Sequence, residues 1–192
     1  MNEKIWLFNG SDTNGWKTRD GSPINWAVTG DYMTVGSGNI ISHETYADAH
    51  LHVEFACPDM PEAKGQEKGN SGVFVHGAYE IQVLDSYGLE PSKWDCGAIY
   101  DCHAPITNAS LPPEEWQTYD IFFRAPRISD KGEVIENARL TLVHNGILIH
   151  NNIILKKTTG GGTTTEIKSE GPLLLQDHGD RVRYRNIWLI KL

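Results

Sequence analysis

Glu80 and Gln82 stand two residues apart in Tyr79-Glu80-Ile81-Gln82-Val83, and this pair is the most chemically suggestive feature of the chain. Side chains alternate faces along an extended strand, so both project from one side, about 6.6 Å apart. A carboxylate that can exchange a proton, beside an amide that can only hydrogen-bond, reads as the floor of a site. Further along, Gln176-Asp177-His178-Gly179-Asp180 offers an imidazole, and Val182-Arg183-Tyr184-Arg185 offers two guanidiniums. A base, an acid and a cation for a developing oxyanion are the parts of proton-transfer chemistry.

Short strands must position these groups. Gly69–Ser86 reads as two strands joined by a tight turn at Gly77-Ala78, with Val73, Val75, Tyr79, Ile81 and Val83 alternating against other residues. Further candidate strands are 6–8, 26–29, 32–35, 39–42, 50–57, 97–100, 118–124, 138–144, 147–153, 173–176 and 182–192. His144-Asn145-Gly146-Ile147 carries the Asn-Gly pair preferred by a type I′ hairpin. No window sustains a helical period; single turns fit near Glu44–Asp48 and Pro112–Trp116. Strands at this density imply an all-β, jelly-roll sandwich of two antiparallel sheets, one domain over residues 1–192. Residues 58–68, 87–95 and 156–170 read as loops. The run Gly160-Gly161-Gly162-Thr163 lacks the Lys-Ser/Thr of a phosphate loop, so it reads as a flexible connector.

Parity assigns faces. Leu51, Val53, Phe55 and Cys57 oppose His52 and Glu54; Leu174, Gln176 and His178 share a side; Arg183 and Arg185 fall with Ile187 and Leu189. Each polar residue also has a plain structural explanation: solvent-facing sheet positions for Glu80 and Gln82, turn chemistry for His178, surface ion pairs for the arginines, a hairpin position for His144. The other histidines lack ligand-like spacing. Trp6, Trp16, Trp26 and Trp188 are expected in the core, whereas Trp94 and Trp116 beside loops are candidate stacking surfaces.

Composition narrows the partners. The 192 residues carry 17 Lys plus Arg against 25 Asp plus Glu, a formal charge of −8. Such a chain, with no basic cluster, argues against nucleic-acid or membrane binding and is compatible with neutral substrates. Cys57, Cys96 and Cys102 have no CxxC spacing, which points to thiols, with one disulfide as the rival and zinc disfavoured. Met1-Asn2-Glu3-Lys4-Ile5-Trp6 shows no export signal, so the sequence as given reads as cytoplasmic; an exported chain whose leader had been removed would read the same.

Several blocks together resemble a known family. Leu7-Phe8-Asn9-Gly10-Ser11-Asp12-Thr13-Asn14-Gly15-Trp16 is similar to the opening LFNGKDLxGW signature of the 3-keto-disaccharide hydrolases. The resemblance continues through 69–74, 79–86, 97–100 and 115–120, and closes with 175–179 and 182–188. It departs at His76, where the family often has Arg. The resemblance implies a concanavalin A-like jelly roll and action on glycosides oxidised at C3. Laminarinase-type enzymes of that architecture place acids as Glu-x-Asp-x-x-Glu; the comparable run here is Glu80-x-Gln82-x-x-Asp85, with an amide in the middle and Asp85 on the opposite parity. Double displacement, which needs two carboxyl groups flanking the bond, is poorly supplied. A 3-keto sugar can instead lose its C2 proton and expel the C1 substituent by β-elimination, after which water adds. The expected catalytic residues are Glu80 and His178 as base and acid in either order, and Arg185 at the enolate. Asn70, Gln82, Gln176, Arg183, Tyr100, His144 and Trp116 are the expected substrate contacts. A divalent metal could take the arginine's role, although no spacing demands one. A non-catalytic carbohydrate-binding module and an ordinary laminarinase-like hydrolase are the competing readings.

Overall fold

A computed structural model describes residues 3–192. Its strands, in chain order, are β1 (Ile5–Phe8), β2 (Trp16–Thr18), β3 (Ala27–Thr29), β4 (Tyr32–Thr34), β5 (Ile40–Tyr46), β6 (Ala49–Ala56), β7 (Ser71–Val75), β8 (Tyr79–Val83), β9 (Gln117–Arg124), β10 (Arg127–Ile128), β11 (Val134–Glu136), β12 (Ala138–His144), β13 (Ile147–Leu155), β14 (Gly171–Leu175) and β15 (Arg183–Lys191). Two main antiparallel sheets result, with β10 and β11 forming a small two-stranded sheet of their own. The larger runs β13-β12-β9-β6-β15-β4-β3 with β1 also on β15, and the smaller runs β2-β5-β14-β7-β8. The all-β sandwich read from the sequence is therefore the fold.

Three departures are local. β2, β10 and β11 were not foreseen, because two or three residues carry too little alternation to register. The turn expected at Glu44–Asp48 is not helical; β5 runs on to Tyr46 and reverses directly into β6. Residues 97–100 make only isolated bridges, from Ile99 to Ile81 and to His103.

The core lies between the sheets. Leu51, Val53 and Phe55 of β6, Tyr119, Ile121 and Phe123 of β9, and Leu140 and Leu142 of β12 meet Val73, Val75, Ile81, Val83, Leu173 and Leu175, all buried. Burying each such side chain contributes about 1.5–3 kcal/mol. A polar bolt crosses this layer: the Tyr184 hydroxyl donates to Ser71 Oγ at 2.7 Å, and Ser71 donates to the Gln176 carbonyl at 2.6 Å. It ties β15 to β7 and holds the chain where β14 leaves the sheet. The Asn-Gly hairpin forms as read, with His144 opposite Ile147 and both turn residues at positive φ.

Alternation fails once with consequence. Asn186 sits at φ 48°, and the register of β15 against β6 shifts between Arg185 and Trp188. This bulge inserts one residue and resets the parity. Tyr184, Ile187 and Leu189 face the core, while Arg183, Arg185, Asn186 and Trp188 face outward. Grouping the arginines with Ile187 and Leu189, as simple parity does, is thereby corrected. Trp16 and Trp26 are core residues, but Trp6 is half exposed and pairs with Trp188 on that same outer face.

Candidate active site

β8 is the edge of the smaller sheet, and both its faces are buried. Tyr79, Ile81 and Val83 enter the core, so Glu80 and Gln82 project outward, opposite Phe74 and Gly72 of β7. Chain returns cover this outer face. Gln82 N–H donates to the Ala98 carbonyl and accepts Gly97 N–H at its own, both at 2.9 Å, while Tyr100 N–H reaches the Glu80 carbonyl at 3.2 Å. The segment that failed to become a strand thus sheathes the edge and brings Tyr100 beside Glu80. Across the face, Thr159 Oγ1 accepts the Glu80 N–H at 2.9 Å, and Thr163 N–H donates to the Gly77 carbonyl at 2.8 Å.

The glycine run is consequently a wall. Gly160 and Gly161 adopt φ 82° and 73°, and a Cβ on Gly162 would overlap the Gly77 carbonyl. Under this lid lies a cavity of about 170 Å³, lined by Gln66, Asn70, Glu80, Gln82, Tyr100, Thr159, Gly160, Gly161, Gln176 and His178. Pockets enclosing drug-sized ligands run roughly 300–1,000 Å³; this one suits a single sugar ring. Gly72 is part of its design. A Cβ there would lie 2.7 Å from Glu80 Oε1 and 3.2 Å from Gln176 Oε1, so only glycine lets these two groups meet over the sheet.

Electrostatics single out Glu80. It is 6% exposed, and burial pushes its carboxyl up to about 7, a value suited to proton transfer near neutral pH. The acids nearby are engaged by backbone. Asp177 accepts Gly38 N–H at 2.8 Å and Gly179 N–H at 2.9 Å, and Asp180 accepts Asn70 N–H at 2.7 Å. These bonds set the turn that leaves His178 exposed at the cavity mouth. Asp85 points the other way and pairs with Lys68 at 2.8 Å. Among the lining residues, Glu80 and His178 are the side chains of metal-ligand type, and no group of three or more His, Cys, Asp or Glu is gathered for a metal among the described residues.

Six expected site residues therefore converge: Asn70, Glu80, Gln82, Tyr100, Gln176 and His178. Four do not. Arg185 lies on the outer face of the larger sheet, where its Nε donates to Glu54 Oε2 at 2.7 Å and its Nη1 approaches Asp31 at 3.3 Å. Arg183 pairs with Glu114 at 2.7 Å, and Trp116 sits beneath both guanidiniums. His144 is wholly buried in the core, 3.0 Å from Gln117 Oε1, with its pKa lowered to about 3 by burial. His76 also turns inward, between Tyr46 and Phe123, and burial lowers its pKa. Grouping Arg185 with Glu80 is corrected by the topology: β15 belongs to the larger sheet and β8 to the smaller one. Gln66, Thr159, Gly160 and Gly161 were missed because they sit in segments read as connectors, where periodicity carries no signal. All three cysteines are free thiols.

No curated protein matches the chain. Among solved structures, a protein of Parabacteroides distasonis provisionally described as a glycosyl hydrolase is 32% identical, with TM-score 0.90, over 98% of this chain and 84% of that one. A second protein of that organism, described in the same way, shares 20% identity at TM-score 0.73 over 98% and 94% of the two chains. The carbohydrate-binding module CBM66 of Bacillus subtilis shares the fold at 14% identity and TM-score 0.53, over 92% and 96%. The model of the 3-keto-alpha-glucoside-1,2-lyase-like domain matches residues 3–190. Carbohydrate-active, glycosyl hydrolase-like relatives and a family match over nearly the whole chain agree, and this protein belongs to the 3-keto-alpha-glucoside-1,2-lyase-like domain family.

Proposed function

We propose that the protein cleaves the glycosidic bond of 3-keto-glycosides, 3-keto-disaccharides among them, by elimination rather than displacement. The observation that carries this reading is the set of side chains on the cavity floor: one carboxyl raised to about 7, flanked by the amides of Gln82 and Gln176. Displacement at an unoxidised sugar calls for two carboxyl groups about the scissile bond. Elimination from a 3-keto sugar calls for one base, because the ketone already acidifies C2–H.

The ionised Glu80 carboxylate takes the C2 proton. The electron pair of that bond forms C1=C2 as the C1–O bond breaks, and the enolate charge passes through the C3 oxygen. His178 at the mouth gives its proton to the departing oxygen. The Tyr100 hydroxyl and the Asn70 amide line the cavity as groups able to hydrogen-bond the ring. Water then adds its oxygen to C1 of the enone and a proton returns to C2, so the net change is hydrolysis. One ring fills the cavity, and the leaving group projects from the open side past His178.

The test is incubation with a 3-keto-disaccharide and with its unoxidised parent, with and without EDTA. Cleavage of the ketone alone supports elimination. Cleavage of the unoxidised sugar alone overturns it, and binding without cleavage of either makes the chain a binding module. Loss of activity in EDTA would add a cation to the account of the enolate.

A further inference from the structure

One residue in the cavity has no part in the chemistry above. Gln66 belongs to a short 3-10 turn, Gly65–Glu67, in a charged loop, yet it gathers three partners. Its Nε2 donates to the Trp94 carbonyl at 2.8 Å, its Oε1 accepts Gln82 Nε2 at 2.9 Å, and its backbone carbonyl accepts Asn70 Nδ2 at 2.7 Å. Gln82 Nε2 also reaches the Trp94 carbonyl, at 3.4 Å. A backbone carbonyl accepts and never donates, so whatever faces it must be the NH₂ end of an amide. Trp94 therefore sets the orientation of both glutamines, and the Gln66 carbonyl sets that of Asn70.

Orientation decides what the floor offers. With both Gln82 N–H groups turned to Gln66 and Trp94, its Oε1 is left over, on a residue 1% exposed, and this oxygen has no partner. An orphaned buried acceptor costs about 1–3 kcal/mol, and a free amide would rotate to relieve it. We propose that Gln66 is a positioning residue that locks Gln82 with its carbonyl oxygen free, reserving that acceptor for one hydroxyl of the bound sugar. The site thereby recognises a hydroxyl donor at one ring position and rejects a ring that lacks it. This rests on the 3-keto-glycoside reading for the identity of the ring, and on the amide network alone for the acceptor.

The experiment compares the wild type with Gln66→Leu on a 3-keto-glucoside and on its monodeoxy forms lacking the C2, C4 or C6 hydroxyl. We expect Gln66→Leu to raise KM for the parent about tenfold, the worth of one hydrogen bond to an otherwise unpaired group, with kcat held within about twofold. One deoxy form should bind the wild type about tenfold more weakly and show no further loss in the variant. An unchanged KM, or an equal loss for every analogue, overturns the proposal. If the wild type cleaves none of these compounds, the functional reading fails separately. The same ligands are then titrated against the Gln82 side-chain amide resonances. Resonances that move with the parent, and not with one deoxy form or in Gln66→Leu, uphold the positioning role; resonances that never move overturn it.

Discussion

Glu54 and Glu80 project from the outer faces of the two opposed sheets, and their surroundings could hardly differ more. Burial would raise Glu54, but hydrogen bonds from Asn186 and Arg185 outweigh it and hold its carboxyl below the usual range. Beyond it Asp120 lies 2.8 Å from His52 and 3.3 Å from His50, so opposite partners alternate across the face. The hollow there, about 330 Å³ between Trp6, Asn9, Asp31, Glu54, Arg185 and Asn186, is larger than the cavity over β8. Its charges are mutually satisfied. Over β8 the opposite holds: Glu80 is buried with burial alone acting on its pKa, and Gln82 and Gln176 each keep an unpartnered buried oxygen. Hollow size alone therefore does not mark the candidate site; a buried carboxyl beside two unpartnered amide oxygens in one cavity does.

Substitution of the two carboxylate networks should break or sharpen this contrast. The largest effect is expected on turnover. Glu80→Gln should lower kcat on a 3-keto-disaccharide by about 10²–10⁴-fold, the contribution of a positioned base, whereas Arg185→Leu should stay within about tenfold once folded. Steady-state kinetics decides it, and comparable losses would erase the distinction. In the wild type, kcat should rise as pH passes through about 7, because Glu80 must be ionised to accept a proton, and a pH profile checks this.

Stability should move in opposite directions. The folded pKa of Glu80 lies above its ordinary 4.5. Its contribution is thus intact below pH 4.5 and is lost as pH rises through about 7. Gln stays neutral throughout, so Glu80→Gln should stabilise the fold by roughly 3 kcal/mol at pH 8 and be neutral at pH 4. Arg185→Leu should instead destabilise by roughly 2 kcal/mol at pH 8, because Glu54 loses its charged partner. Urea unfolding of both variants at the two pH values reads both signs. The smallest change concerns the lid. Thr159→Val removes the acceptor for Glu80 N–H and should cost about 1 kcal/mol, with faster amide exchange at Glu80 as the local readout.

Much of the fold is legible in the sequence. The sandwich followed from alternation, since a period of two names the face each side chain takes, and the Asn145-Gly146 hairpin followed from two residues that accept positive φ. Asn70, Glu80, Gln82, Tyr100, Gln176 and His178 were all named and all line one cavity. Arg185, Arg183, Trp116 and His144 were named and lie elsewhere. The causes differ: β15 belongs to the larger sheet, so both arginines lie away from β8, Trp116 stacks with them there, and the unbroken alternation of β12 turns His144 into the core.

What the sequence determined by itself, then, was local: the longer strands, the face each residue takes along an unbroken one, and that an amide stands beside Glu80 where a second acid would serve displacement. Tertiary structure alone decided which faces meet. Loops at Gln66, Trp94 and Thr159–Gly161 carry no periodicity, so nothing in the sequence announces that they close over β8. Yet the burial they help to create raises Glu80 to about 7, and Gln66 and Trp94 orient Gln82. Strand pattern is written in near neighbours, whereas a carboxyl's pKa depends on every chain segment folded against it.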